Sequence, residues 1–211
     1  MSYIEIKNYT KKINSVTVLD NINLSLEAGK IYSLTGKNGS GKTMLIRAVS
    51  GLITPNCGEV TVDGVKVGAG VYPKSIGILI ENVTMLEYLS ALENLKMLNS
   101  ISKRKATVER IKELIKFFGL DPDDKRIIKK YSLGMRHKVS IIQAFMNEPD
   151  LIVLDEPTNS LDDKSIEALL GLIKEINKNK KTTFIIASHD RNCVESISDE
   201  IIEMEGGKIV G

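Results

Sequence analysis

The sequence predicts an α/β domain with a mostly parallel sheet, an N-terminal antiparallel β subdomain and a helical subdomain set into its middle. Three observations predict it. Strand and helix patterns alternate over the outer parts of the chain, which implies parallel strand–helix–strand units. The first thirty residues instead read as consecutive strands. From about Thr84 to Asn147 strand signals give way to helical apolar spacing. The expected organisation is one domain over 1–211, with 1–83 and 148–211 forming the core and 84–147 the helical subdomain.

The elements follow in order. YIEIK alternates, and TVLDNINLSLEAG alternates again before Gly29 ends the run. KIYSLTG is a short strand of the buried type. KTMLIRAVSGL has helical spacing, with Gly51 close to its end. GEVTVDGVKV is a hairpin about Asp63-Gly64, a favoured two-residue turn. SIGILI is another apolar strand. TMLEYLSALENLKMLNS, TVERIKELIKFFGL and SLGMRHKVSIIQAFMNE then read as helices. Strands return with LIVLD (151–155), TFIIAS (183–188) and the closing DEIIEMEGGKIVG, and the helix SIEALLGLIKEINKN separates the first two.

A hydrophobic content of 42% allows a substantial core, and the net charge of +2 makes no electrostatic case for nucleic acid as a partner. The lysine runs read as solvated faces and turns. Cys57 and Cys193 are far apart and lack metal-ligand spacing, so both read as reduced thiols of a cytosolic protein. The N-terminus shows no secretory h-region, and the apolar runs are too short to span a bilayer. Work at a membrane would require other chains to supply the membrane part.

GKNGSGKT, residues 36–43, satisfies the spacing G-x-x-x-x-G-K-[ST] between a strand and a helix. Glycines let backbone N–H groups turn toward phosphates, and the helix N-terminus presents its positive end. Gly36, Asn38, Gly39, Ser40, Gly41, Lys42, Thr43 and Met44 are the candidate nucleotide contacts. Lys42 would pair with the outer phosphates, and Thr43 would offer its hydroxyl to Mg²⁺. This loop alone does not separate a GTPase, a kinase or an ATPase.

LIVLDEPTNSLDD supplies the second half. Its apolar run delivers Asp155 and Glu156 to the C-terminal end of a strand, where open α/β sheets bind ligands. Asp155 is a candidate Mg²⁺ holder, and Glu156 a candidate general base for the attacking water. TFIIASHD brings Ser188 and His189 to the same sheet edge, with His189 a candidate phosphate contact. His137 lies in a helical segment without a nearby acidic partner and reads as structural.

YSLGMRHK, residues 131–138, lies upstream of LIVLDEPT and resembles the signature motif of ATP-binding cassette (ABC) proteins, usually Leu-Ser-Gly-Gly-Gln. GKNGSGKT, YSLGMRHK, LIVLDEPTNSLD and ASHD stand in that family's order, and the resemblance covers nearly the whole chain. It implies a P-loop NTPase core that hydrolyses ATP with Mg²⁺. It implies a head-to-tail dimer with itself or another ABC ATPase domain. In that dimer Ser132 and Gly134 would contact the γ-phosphate held by the partner's cradle. It further implies integral membrane transporter subunits as partners, a place on the cytoplasmic face of the membrane, and an interface-crossing loop at Asn159 to Asp162. A soluble ABC ATPase acting on ribosomes or DNA is the alternative. The chain shows neither a second cassette nor a long coiled-coil insertion.

Four positions depart from the family pattern. Leu133 and Met135 replace the usual glycine and glutamine of the signature. Glu81 stands where a glutamine usually reaches Mg²⁺, and it resembles the ATPases of exporters for lantibiotics and bacitracin-type antibiotics. Where an aromatic usually stacks on adenine, alignment places Ile13, with Tyr9 as a near alternative.

Overall fold

The computed structural model describes residues 2–80 and 85–210. Strands β1 (Ile4–Ile13) and β2 (Val16–Leu26) lead into β3 (Ile31–Thr35), and β4 (Cys57–Val62) and β5 (Val65–Val67) follow. β6 (Ile76–Leu79), β7 (Leu151–Asp155), β8 (Thr183–Ala187), β9 (Glu200–Glu205) and β10 (Lys208–Ile209) complete the strands. One sheet is antiparallel with the order β2-β1-β4-β5. The other has the order β10-β9-β3-β8-β7-β6 and is parallel except for its β10 edge. The helices are α1 (Lys42–Val49), α2 (Ala91–Ile101), α3 (Val108–Phe117), α4 (Leu133–Phe145), α5 (Asp163–Lys180) and the short α6 (Arg191–Glu195). The expected class, a parallel core with antiparallel and helical parts, is the observed one.

Local chemistry sets the boundaries. Asp63 and Gly64 both have positive φ, 48° and 69°, the turn type that matches strand twist in a two-residue hairpin. The helix expected from TMLEYLSALENLKMLNS starts later than its apolar spacing suggests. Ser90 and Glu93 form a capping box: Ser90 Oγ accepts from Glu93 N, and Glu93 Oε2 accepts from Ser90 N at 2.8 Å. The buried Asn94 holds the preceding turn, accepting from Leu86 N and donating to Leu86 O. Apolar residues upstream of Ser90 therefore pack from an irregular segment. β1 runs beyond YIEIK through TKKI, because irregularities near Asn8 (φ 48°) let it stay paired with β2. The short α6 has too few residues to show a period in the sequence.

The parallel sheet buries both faces, as its continuous apolar strands require. On one face Ile152, Leu154, Phe184 and Ile186 meet Val139, Ile142 and Phe145 of α4 and Leu169 of α5. Phe145 and Phe184 rings lie 6.1 Å apart. Leu95, Ile111 and Ile115 of α2 and α3 belong to the same cluster, so α4 joins the helical block to the sheet. On the other face Leu151, Val153, Ile185 and Ala187 share a core with Leu45 and Ile46 of α1 and Ile4 and Tyr9 of the antiparallel sheet. Each fully buried aliphatic or phenyl side chain contributes about 1.5–3 kcal/mol to folding. Two such layers hold the C-terminal ends of β3, β7 and β8 side by side.

Candidate active site

All five residues of β3 are buried, and the chain turns sharply as it leaves them. Gly36 has φ 140°, and a Cβ there would stand 2.2 Å from Met204 O, so no other residue fits. Gly41 caps α1 at φ 108°, and a Cβ there would lie 3.1 Å from Val18 O. No side chain caps α1. Its first-turn N–H groups therefore keep their donors turned to the loop, the arrangement that suits an anion. Lys42 is buried, and its Nζ donates to Gly36 O at 2.7 Å and Lys37 O at 3.2 Å. The buried Ser40 Oγ has no hydrogen-bond partner among the described residues.

Thr43 Oγ1 donates to Oδ2 of the buried Asp155 at 2.7 Å, tying the cradle to the end of β7. Glu156 follows at φ 48°, its N–H bonded to Ala187 O of β8 at 2.8 Å. Glu156 Oε2 accepts from His189 Nδ1 at 2.7 Å and from His189 N at 3.3 Å. Three parallel strands thus deliver the lysine and threonine, the two carboxylates and the histidine to one edge.

A cleft of about 600 Å³ opens there, lined by residues 38–44 together with Glu156, Asn159 and His189. The structure thus brings Asn38, Gly39, Ser40, Gly41, Lys42, Thr43, Met44, Glu156 and His189 together, while Gly36 lines the adjoining cleft. His189, expected against phosphate, lines the same cleft and bonds to Glu156. Ile13 does not itself line the cleft, but it pairs with Val16, which does, at the turn of the β1–β2 hairpin. Tyr9 is not available to a base, being 1% exposed with its hydroxyl on Ile53 O. The open side of the cleft is formed by Val16, Thr17, Val18, Gly206 and Gly207, which sequence reasoning missed. Glu81 lies outside the described residues.

Ser132 and Gly134 do not line this cleft. Ser132 is the N-cap of α4, its Oγ accepting from Met135 N at 3.2 Å. Gly134 packs against Ser160: a Cβ there would lie 2.7 Å from Ser160 O. Leu133 is exposed, while Met135 packs on the core. His137 hydrogen-bonds Pro157 O, and burial pushes its pKa down.

Oxygen donors at Thr43 and Asp155 within hydrogen-bond reach of each other suit a hard cation such as Mg²⁺. Among the described residues no group of three or more His, Cys, Asp or Glu is placed to hold a metal.

A strand-to-helix phosphate cradle linked through Thr43 to a buried strand-end aspartate, with a glutamate beside it, defines a P-loop nucleoside triphosphatase. The sequence profile of the ABC transporter family matches residues 19–159. The chain is 42% identical over 207 residues to the uncharacterized ABC transporter ATP-binding protein YybJ of Bacillus subtilis, covering 98% of this chain and 94% of that one. It is 34% identical to the bacitracin transport ATP-binding protein BcrA of Enterococcus faecalis, covering 98% and 68% respectively. It is 33% identical to the lantibiotic transport ATP-binding protein SrtF of Streptococcus pyogenes, covering 98% and 89%. The dimeric structure of MJ0796, a bacterial ABC transporter cassette, superposes with a TM-score of 0.90 at 28% identity, over 99% of this chain and 97% of that one. A post-hydrolysis dimer of the same cassette bound to ADP and Pi superposes at 0.88, with 27% identity and the same coverage. The chain belongs to the ABC transporter family as an ATP-binding, ATP-hydrolysing domain. No described helix is long and apolar enough to cross a membrane.

Proposed function

We propose that this chain powers separate integral membrane subunits from their cytoplasmic face, as one half of a head-to-tail ATPase dimer. The cargo class is that of its BcrA and SrtF relatives, antimicrobial peptides of the bacitracin and lantibiotic kind. The observation that carries the catalytic part is Glu156, held at the mouth of the cradle one residue from the Asp155–Thr43 link.

In this reading the first-turn amides of α1 and the Lys42 ammonium bind the phosphates, and Thr43 and Asp155 hold Mg²⁺. The ion, when bound, neutralises charge on the transferring phosphoryl group. Glu156 accepts a proton from water as the water oxygen attacks the γ-phosphorus, and the bond from that phosphorus to the bridging oxygen breaks to release ADP and phosphate. His189 donates its Nδ1–H to the same carboxylate and orients it. Ser132 and Gly134 stand outside their own chain's cleft, the first exposed and the second half-buried, and in this reading they meet the nucleotide of a partner. Glu81 remains a proposed contributor to the metal site.

Glu156→Gln is the test. The carboxamide keeps an oxygen for His189 but cannot serve as the base, so turnover should fall about 10²–10⁴-fold while ATP still binds. The variant should accumulate as an ATP-bound dimer in size-exclusion chromatography. Turnover near wild type would remove Glu156 from the base role.

A further inference from the structure

The segment 157–162 is fastened to the first turns of α4 at three points. Gly134 touches the Ser160 carbonyl, as its missing Cβ shows. Lys138 Nζ lies 3.4 Å from Asp162 Oδ2. Between them, His137 Nε2 lies 2.9 Å from Pro157 O. A carbonyl only accepts, so Nε2 carries the proton in this pair. Nδ1 is then the acceptor in the neutral ring.

The residue before Pro157 is strained, as is Ser160 at φ 61°. Glu156 sits at φ 48° without being glycine. Such a backbone persists only where its surroundings over-determine it. On one side its N–H is bonded to Ala187 O of β8 at 2.8 Å. On the other side Pro157 has no N–H to bond. After the Glu156 carbonyl, the next main-chain group along the segment is the Pro157 carbonyl, and His137 anchors it. The turn is completed by Asn159 N–H on Glu156 O at 3.2 Å. His137 and Glu156 line one cavity of about 430 Å³, so the imidazole has room on one side and is held by its hydrogen bond on the other.

We infer that His137 is a positioning residue for hydrolysis: its Nε2–H fixes the Pro157 carbonyl and thereby the backbone that aims the Glu156 carboxylate. It touches no reacting atom. The inference rests on the reading of Glu156 as the general base.

Three variants test it: His137→Ala, His137→Gln and Glu156→Gln. In His137→Ala the ATPase kcat should fall about tenfold while KM for ATP stays within about twofold, since binding groups are untouched. Glutamine carries a donor at the reach of Nε2, so His137→Gln should recover kcat to within about threefold of wild type. Hydrogen exchange supplies a readout independent of turnover. The peptide spanning 156–162 should exchange faster in His137→Ala and regain protection in His137→Gln, with β7 and β8 unchanged. An alanine variant with wild-type kcat overturns the inference, as does a kcat loss that glutamine fails to restore. So does unchanged exchange across 156–162. If Glu156→Gln alone retains turnover, the base reading fails, and restored exchange in His137→Gln would then mark His137 as a loop anchor without a part in hydrolysis.

Discussion

Gly134→Ala separates the two duties assigned to the start of α4. The added Cβ would stand 2.7 Å from Ser160 O. Ordinary carbon–oxygen contact begins near about 3.3 Å, so backbone must yield by roughly half an ångström. Gly134 has no positive φ, so the cost is steric rather than conformational. Overpacking of this kind costs about 1–3 kcal/mol. A chain of 211 residues unfolds with an entropy of about 0.44 kcal/mol/K at about 2.1 cal/mol/K per residue, so Tm should fall by about 2–7 °C. Calorimetry on the nucleotide-free protein reads that loss. ATP affinity of the monomer should be unchanged, because Gly134 does not line its own cleft. ATP-dependent dimers, trapped in a Glu156→Gln background, should weaken, because the clash with Ser160 O shifts the start of α4, whose Ser132 and Gly134 are the proposed phosphate contacts across the dimer. An unchanged Tm would refute the close contact with Ser160. Equal dimerisation with a lowered Tm would refute the contact in trans.

Ser132→Ala should cost about 1 kcal/mol of stability through the lost N-cap and should reduce trapped dimers, with monomer ATP affinity kept by calorimetry. Asp124 supplies a pH dependence. Arg126 forks onto it at 2.7–3.1 Å and Tyr131 donates at 3.1 Å, holding its pKa at about 2, below the usual 3.8. Because the folded value is the lower one, this contribution is present above the unfolded pKa and lost as pH falls toward about 2. Thermal melts from pH 5 downward should therefore show a fall in wild type that is shallower in Asp124→Asn; parallel curves would dismiss the fork as a stabilising pair.

The strands were legible because buried and half-buried strands write themselves as apolar runs or alternation: LIVLD and TFIIAS are observed nearly as read. The cradle was legible because glycine is forced there, as Gly36 against Met204 shows. Helix starts fixed by side-chain reciprocity were harder. Ser90 and Glu93 decide where α2 begins, against an apolar period that continues upstream. The wall of the cleft was least legible. Val18 and Gly207 are brought beside Gly41 by two hairpins far apart in sequence, and nothing local marks either as a neighbour of a nucleotide. The same holds for Tyr9, whose aromatic ring suggested a stacking surface while its burial follows from the β1–β4 pairing and α1 above it.

The lysine of the cradle is already solvated by its own loop. With its ammonium on the carbonyls of Gly36 and Lys37, nucleotide entry under the proposed function is a partner exchange, in which phosphate oxygens compete with two peptide oxygens for one cation. Product departure is the reverse swap, and the departing anion does not strand an unmatched charge beneath the surface. Affinity then reports the difference between two well-satisfied states. Any change that bends the 36–37 peptide planes will retune it, even where no atom of the nucleotide is touched.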